Sequence, residues 1–215
     1  MPLYEIQHIC PLTTAQQDEL AIAITRIHST KFTTPKMFVN VKFTDAKEHV
    51  TYIGGKRRQG NHILANVRVG PSRTQKDWDS LCAEIVGEWN RIVPMPKVKR
   101  YLCTMEWRGK GTQWVGMMWL TFLRGRSAPD EDHTLRSCIL LGGLIGGYEA
   151  GFMIPPAGGD VQWMKDNWDE FKMKAQSDEE FKDMVDEVEE RGLMNGAGKS
   201  SKQKLEEALG WGDSA

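Results

Sequence analysis

Cysteine is scarce. Cys10, Cys82, Cys103 and Cys138 are the only four among 215 residues, and no two of them stand in a C-x-x-C pair. That spacing fits reduced thiols in a cytosolic chain better than a disulfide framework or a zinc site. The histidines, His8, His28, His49, His62 and His133, are scattered without ligand spacing, so no metal centre is expected. A dominant charge is missing too. Lys and Arg total 28 against 29 Asp and Glu, leaving no net field to draw the chain to nucleic acid or to an anionic membrane. The longest apolar run, Cys138 to Ile145, is far short of the roughly 18 residues of a membrane span. Met1 to His8 lack the basic and apolar regions of a secretory signal. With 40% hydrophobic side chains, a chain of this length can bury one good core with appended helices, but not two full domains.

What is present is one pattern that occurs twice. Leu3 to Ile9 reads as a strand, and Thr14 stands three residues before Gln17, a capping-box arrangement that starts a helix. Leu20, Ala23, Ile24 and Ile27 recur at helical spacing, and Met37 to Phe43 then alternates as a second strand. Thr51 to Gly55 reads as a hairpin arm and the polar Lys56 to Asn61 stretch as its loop, with Lys56-Arg57-Arg58 a solvated tip. His62 to Val69 opens the second copy as a strand. Thr74 stands three before Asp77 at a second helix start, and Trp78, Leu81, Cys82, Ile85, Trp89 and Ile92 form its apolar stripe. Cys138 to Gly142 is the closing strand. The expected fold is α/β: two β-α-β units in one four-stranded sheet with two helices on one face, plus a C-terminal helical tail.

Two regions stand outside that plan. Asp160 to Arg191 alternates acidic clusters with Trp163, Met164, Trp168, Phe171, Phe181 and Val185, which predicts one or two amphipathic helices docked on the core or on a neighbouring subunit. Tyr101 to Arg126 carries three tryptophans but neither a strand nor a helix period, and so long an irregular stretch is foreign to a compact domain. It reads as an insertion, of the kind a translated intron would leave. The expected organisation is a domain over 2–160 with an insertion at 101–126, a helical extension over 161–191 and a flexible tail over 192–215.

Chemistry can start at Pro2. Removal of Met1 would expose a secondary amine on a rigid ring. An α-amino group titrates near 8, and partial burial beside cations lowers that further, so such a group can serve as a general base or acid near neutral pH. Met-Pro starts are common, and Pro2 needs company. The runs Pro2-Leu3-Tyr4, Leu12-Thr13-Thr14, Ala23 to His28, Phe38 to Phe43 and Ile53-Gly54-Gly55, with Arg73, Tyr148 to Pro155, Gly158 and Trp163, together resemble the cis-3-chloroacrylic acid dehalogenase group of the tautomerase superfamily, particularly its fungal members.

That resemblance implies that Pro2 is the catalytic acid or base, that His28, Arg68 and Arg73 hold a substrate carboxylate, and that Glu149 polarises the substrate or activates water. It also implies a homotrimer built around a central barrel, with no metal or organic cofactor. Taken as side chains alone, His28 is either a carboxylate donor or a helix-end cap, Arg73 an anion ligand at a helix start or a solvated turn residue, and Glu149 a semi-buried catalytic acid or a salt-bridge partner. The family pairs its glutamate with a tyrosine on the preceding strand. Here that position is Leu140 or Leu141, which puts hydrolytic dehalogenation in doubt, with Tyr148 the available substitute.

Gly196 to Ser200 lacks the first glycine and the preceding strand of a phosphate loop, and Gly142 to Gly147 lacks dinucleotide spacing. The expected function is therefore proton transfer on a small 2-oxo, enol or unsaturated carboxylic acid by a cytoplasmic enzyme. Its rivals are a hydratase or dehalogenase of 3-substituted acrylic acids and a non-catalytic binding homologue.

Overall fold

The computed structural model describes residues 2–95 and 132–194. Strand β1 (Leu3–His8), helix α1 (Thr14–Phe32) and strand β2 (Asn40–Asp45) form the first β-α-β unit. Strand β5 (Asn61–Asn66), helix α2 (Gln75–Ile92) and strand β6 (Leu135–Leu141) form the second. Between them lies a small hairpin, β3 (Tyr52–Ile53) and β4 (Lys56–Arg57). The sheet order is β2-β1-β5-β6. Each unit pairs its own strands in parallel, while β1 and β5 join the units antiparallel. The two halves are thus related by the central antiparallel pair, as the twofold sequence pattern predicts.

Alternation decides which face is buried. Tyr4 and Ile6 of β1 and Ile63 and Ala65 of β5 turn to the helices, where they meet Leu20, Ile24 and Ile27 of α1 and Leu81, Ile85 and Trp89 of α2 in one core. The opposite face has no helix on it among the described residues and exposes Leu3, Ile139 and Leu141. At the end of the sheet where β1 and β5 connect to their neighbours, buried Asn61 ties the strands together. Its oxygen accepts from the Ile9 and Cys10 amides, and its amide donates to the carbonyls of Asp132 and Thr134.

Several expected boundaries shift by a residue or more. The first capping box is Thr13 with Gln16, not Thr14 with Gln17, because it is Thr13 that takes the extended conformation from which a hydroxyl can reach the N3 amide. Thr74 and Asp77 cap α2 as expected. Met37 and Phe38 belong to a 3₁₀ turn, Lys36–Phe38, and the strand starts only at Asn40. Lys56 and Arg57 form the second arm of the hairpin and not its tip, which is Gly54-Gly55.

The extension is three helices, α3 (Asp160–Asp166), α4 (Trp168–Lys174) and α5 (Glu179–Glu190). They make a second core of Met164, Phe171, Phe181, Met184, Val185 and Val188 that takes in Phe38 of the 3₁₀ turn and Phe152. Phe152 lies in a hairpin formed by β7 (Tyr148–Glu149) and β8 (Phe152–Met153). The tail expected from 192 is docked at its start. Gly192, at φ 59°, ends α5 so that its own amide reaches the Glu189 carbonyl and that of Leu193 the Val188 carbonyl, which seats Leu193 in the second core. The stretch 101–126 and residues 195–215 lie outside the described residues.

Candidate active site

One end of the sheet gathers the residues singled out from sequence. Leu3 pairs with Asn40 and Asn66, and Asn66 with Leu141, so the starts of β1 and β2 and the ends of β5 and β6 meet there. The C-terminal turn of α1 and the start of α2 necessarily lie at that end too, because α1 leads into β2 and α2 leaves β5.

Pro2 is buried, and its carbonyl accepts from the Asn40 amide at 3.1 Å. The Asn40 side chain donates to Glu149 Oε1 at 3.0 Å. A single residue at the start of β2 therefore bridges Pro2 and Glu149. Glu149 is half-buried, and the turn after it holds Ala150 at φ 52°, a left-handed conformation unusual for a residue with a side chain. Lys174 of α4 donates to the Ala150 carbonyl at 3.0 Å and lies over the Phe152 ring, so the extension braces the hairpin that presents Glu149.

His28 faces the core, not the helix end. It is 1% exposed, and its Nδ1 lies 2.7 Å from the Tyr4 hydroxyl. Burial, reinforced by the charge of Arg73, pushes its pKa down to about 3, so the imidazole is neutral and the charged alternative is excluded at ordinary pH. Burial raises the Tyr4 phenol well above its usual range. Phe32 packs between His28, 4.8 Å away ring to ring, and the Arg73 guanidinium, 4.3 Å from its centroid, and Trp78 closes the stack.

Arg73 donates to the Arg68 carbonyl at 2.7 Å. Arg68 is buried and largely occupied: it donates to the carbonyls of Pro155 and Pro156 and, at 2.5 Å, to Asp160 Oδ1. Asp160 Oδ2 lies 3.8 Å from Arg73 Nη2, close enough for an ion pair but not for a hydrogen bond. The loop that brings Asp160 in presses on the turn carrying Arg73. A side chain at Gly70 would meet Ala157, and one at Gly158 would meet Ser72 Oγ at 2.9 Å. Burial lowers the Arg73 pKa, with Asp160 opposing the shift, but an arginine stays charged in any case.

Tyr4, Asn40, Phe32, Trp78 and Asp160 are the members of this constellation to which the sequence assigned no catalytic or binding role. Tyr4 alone gave a local signal: it alternates with Ile6 onto the buried face, where a phenol needs a partner. The tyrosine sought on the strand before Glu149 has no local stand-in, since Leu140 packs on the core, Leu141 is exposed on the helix-free face, and Tyr148 is exposed and points away from its neighbour Glu149. A shallow depression of about 600 Å³ between Gly151–Pro156 and helices α3 and α4 adjoins the site, but none of the five expected site residues lines it. Among the described residues there is no cluster of His, Cys, Asp and Glu able to hold a metal ion.

A protein family described as putative oxalocrotonate tautomerase enzymes matches residues 1–116. The chain belongs to this tautomerase family. No curated protein matches it. Among solved structures this chain is similar to a member of the cis-3-chloroacrylic acid dehalogenase family, with 16% identity over 76% of this chain and 90% of that one and a TM-score of 0.50. It also matches a fused 4-OT solved as an asymmetric trimer (16% identity, 44% and 76% covered, TM-score 0.37) and Leishmania major MIF2 (12% identity, 72% and 97% covered, TM-score 0.40). At such identities the first likeness establishes the fold: a tautomerase-like α/β sheet with a C-terminal helical tail.

Proposed function

We propose that this tautomerase moves a proton between carbon and oxygen of a small 2-oxo, enol or unsaturated carboxylic acid, with the amine of processed Pro2 as the base and acid. The observation that carries this reading is the gathering, at one end of the sheet, of Pro2 and Glu149 through Asn40 and of neutral His28 and the Arg68–Arg73 pair on either side of Phe32. Arg73, with Arg68 behind it, receives the carboxylate. Tyr4 keeps its proton and donates to His28 Nδ1, so the imidazole carries its own proton on Nε2 and offers it to the substrate. Glu149, held by Asn40, polarises the enol or orients a water. The amine and the guanidinium groups supply base and electrophile, and no cofactor enters the scheme.

The test is the ultraviolet change as phenylenolpyruvic or a 2-hydroxy-2-alkenoic acid ketonises, with Met-processed protein and its Pro2→Ala variant. The variant should lose at least about a hundredfold in rate, the low end of what a positioned acid–base group supplies. Equal rates in the two proteins, or a native chain that retains Met1, would overturn the reading in favour of a binding homologue. Hydration or dehalogenation of 3-substituted acrylic acids is the second reading, supported by the Asn40-anchored carboxylate of Glu149. It predicts stoichiometric product that Glu149→Gln abolishes. A homotrimer and a cytoplasmic location belong to the same proposal, the latter supported by the free thiols of Cys10, Cys82 and Cys138.

A further inference from the structure

We propose that Asp160, the first residue of the helical extension, is a specificity-determining residue that occupies one side of the Arg68–Arg73 pair and restricts the site to substrates with a single carboxylate. The inference rests on the reading that this pair binds a carboxylate.

Two buried guanidinium groups side by side would be a receptor for two negative charges. Here the Asp160 carboxylate, its side chain 8% exposed, already supplies one of them. Its two oxygens are used unequally. Oδ1 is bound to Arg68 at 2.5 Å, while Oδ2 is buried, lacks a hydrogen-bond partner and points toward Arg73 from 3.8 Å. Arg68 is thus committed to Asp160 and to the Pro155 and Pro156 carbonyls. Arg73 has one firm acceptor, the Arg68 carbonyl, and remains the arm with donors for an incoming anion.

One net positive charge is left for the ligand. A monocarboxylate balances it. The second carboxylate of a diacid would meet the Asp160 carboxylate, in surroundings where like charges are poorly screened. The sequence hides this arrangement, because residues 68, 73 and 160 converge only through the close packing of the Gly70–Arg73 turn on the Pro155–Asp160 loop.

The experiment compares binding of 2-oxopentanoate and 2-oxopentanedioate, equal in chain length and differing by one carboxylate, to the full-length wild type, to Asp160→Asn and to Asp160→Glu, by calorimetry. Wild type should bind the monoacid at least as tightly as the diacid. Asp160→Asn should shift the ratio toward the diacid by about tenfold or more, and Asp160→Glu should keep the wild-type preference. In turnover, Asp160→Asn should alter the KM ratio of mono- and dicarboxylic enols more than kcat.

A folded Asp160→Asn protein with an unchanged ratio makes Asp160 a structural brace and overturns the proposal. So does a wild type that prefers the diacid, a result that needs no variant to fold. Repeating the titrations in Pro2→Ala separates the two readings. A ratio shift there, without proline-dependent turnover in the parent, removes only the proton-transfer reading. Binding of neither acid by any variant removes the carboxylate site itself.

Discussion

At the scale of single residues, His28 shows how burial assigns chemistry. An imidazole ordinarily titrates near 6.5, and the folded chain holds this one down to about 3. Below the ordinary value the unfolded chain takes up a proton that the folded chain refuses, so acidification favours unfolding. The contribution is fully present above about 6.5 and is lost progressively as pH falls toward about 3, at on the order of 1.4 kcal/mol per pH unit. Urea midpoints measured from pH 7 to pH 4 should fall more gently for His28→Gln than for wild type. Parallel profiles would mean that His28 is protonated in the folded protein. The sequence singled out His28 as a candidate, but not its place on the core face. That depended on Tyr4, 24 residues earlier, arriving beside it.

At the scale of elements, the hairpin of β7 and β8 is too short to stand alone. Phe152 anchors it, with its ring 4.7 Å from Phe171 and 6.0 Å from Trp163, while Lys174 holds the turn. Phe152→Ala removes that anchor and should cost about 3 to 5 kcal/mol of stability. It should also lower kcat, because Glu149 shares the hairpin. A thermal melt together with the ketonisation assay checks both, and an unchanged kcat in the folded variant would mean that Asn40 alone suffices to place Glu149. The helices themselves were readable element by element. Thr74 and Asp77 form a local cap, and α2 carries its stripe within a single run of chain. The β7–β8 hairpin was not, because its two-residue strands have no period to detect and its turn lacks the Gly54-Gly55 pair that marks the β3–β4 hairpin.

At the scale of the whole molecule, the helix-free face of the sheet exposes Leu3, Ile139 and Leu141. Burial of such a face against two further copies fits the proposed homotrimer, for which light scattering should give three times the chain mass. Ile139→Lys, on the outer side of β6, should reduce that to the mass of a single chain while leaving the α1–α2 core folded by circular dichroism. A trimer that tolerates the lysine would place the interface elsewhere.

The amino-acid sequence by itself determined the repeated β-α-β plan, the two buried helix stripes and the family motifs that single out Pro2, His28, Arg73 and Glu149. These are periodicities and short runs, and the chemistry that produces them acts within a few residues. Tertiary structure alone decided that Asn40 joins Pro2 to Glu149, that His28 is buried against the Tyr4 hydroxyl, and that the extension supplies Asp160 to the arginines and a floor to the Glu149 hairpin. Each of those contacts closes a loop of tens of residues or more, and each is selected by packing and charge balance between elements, which no local pattern records.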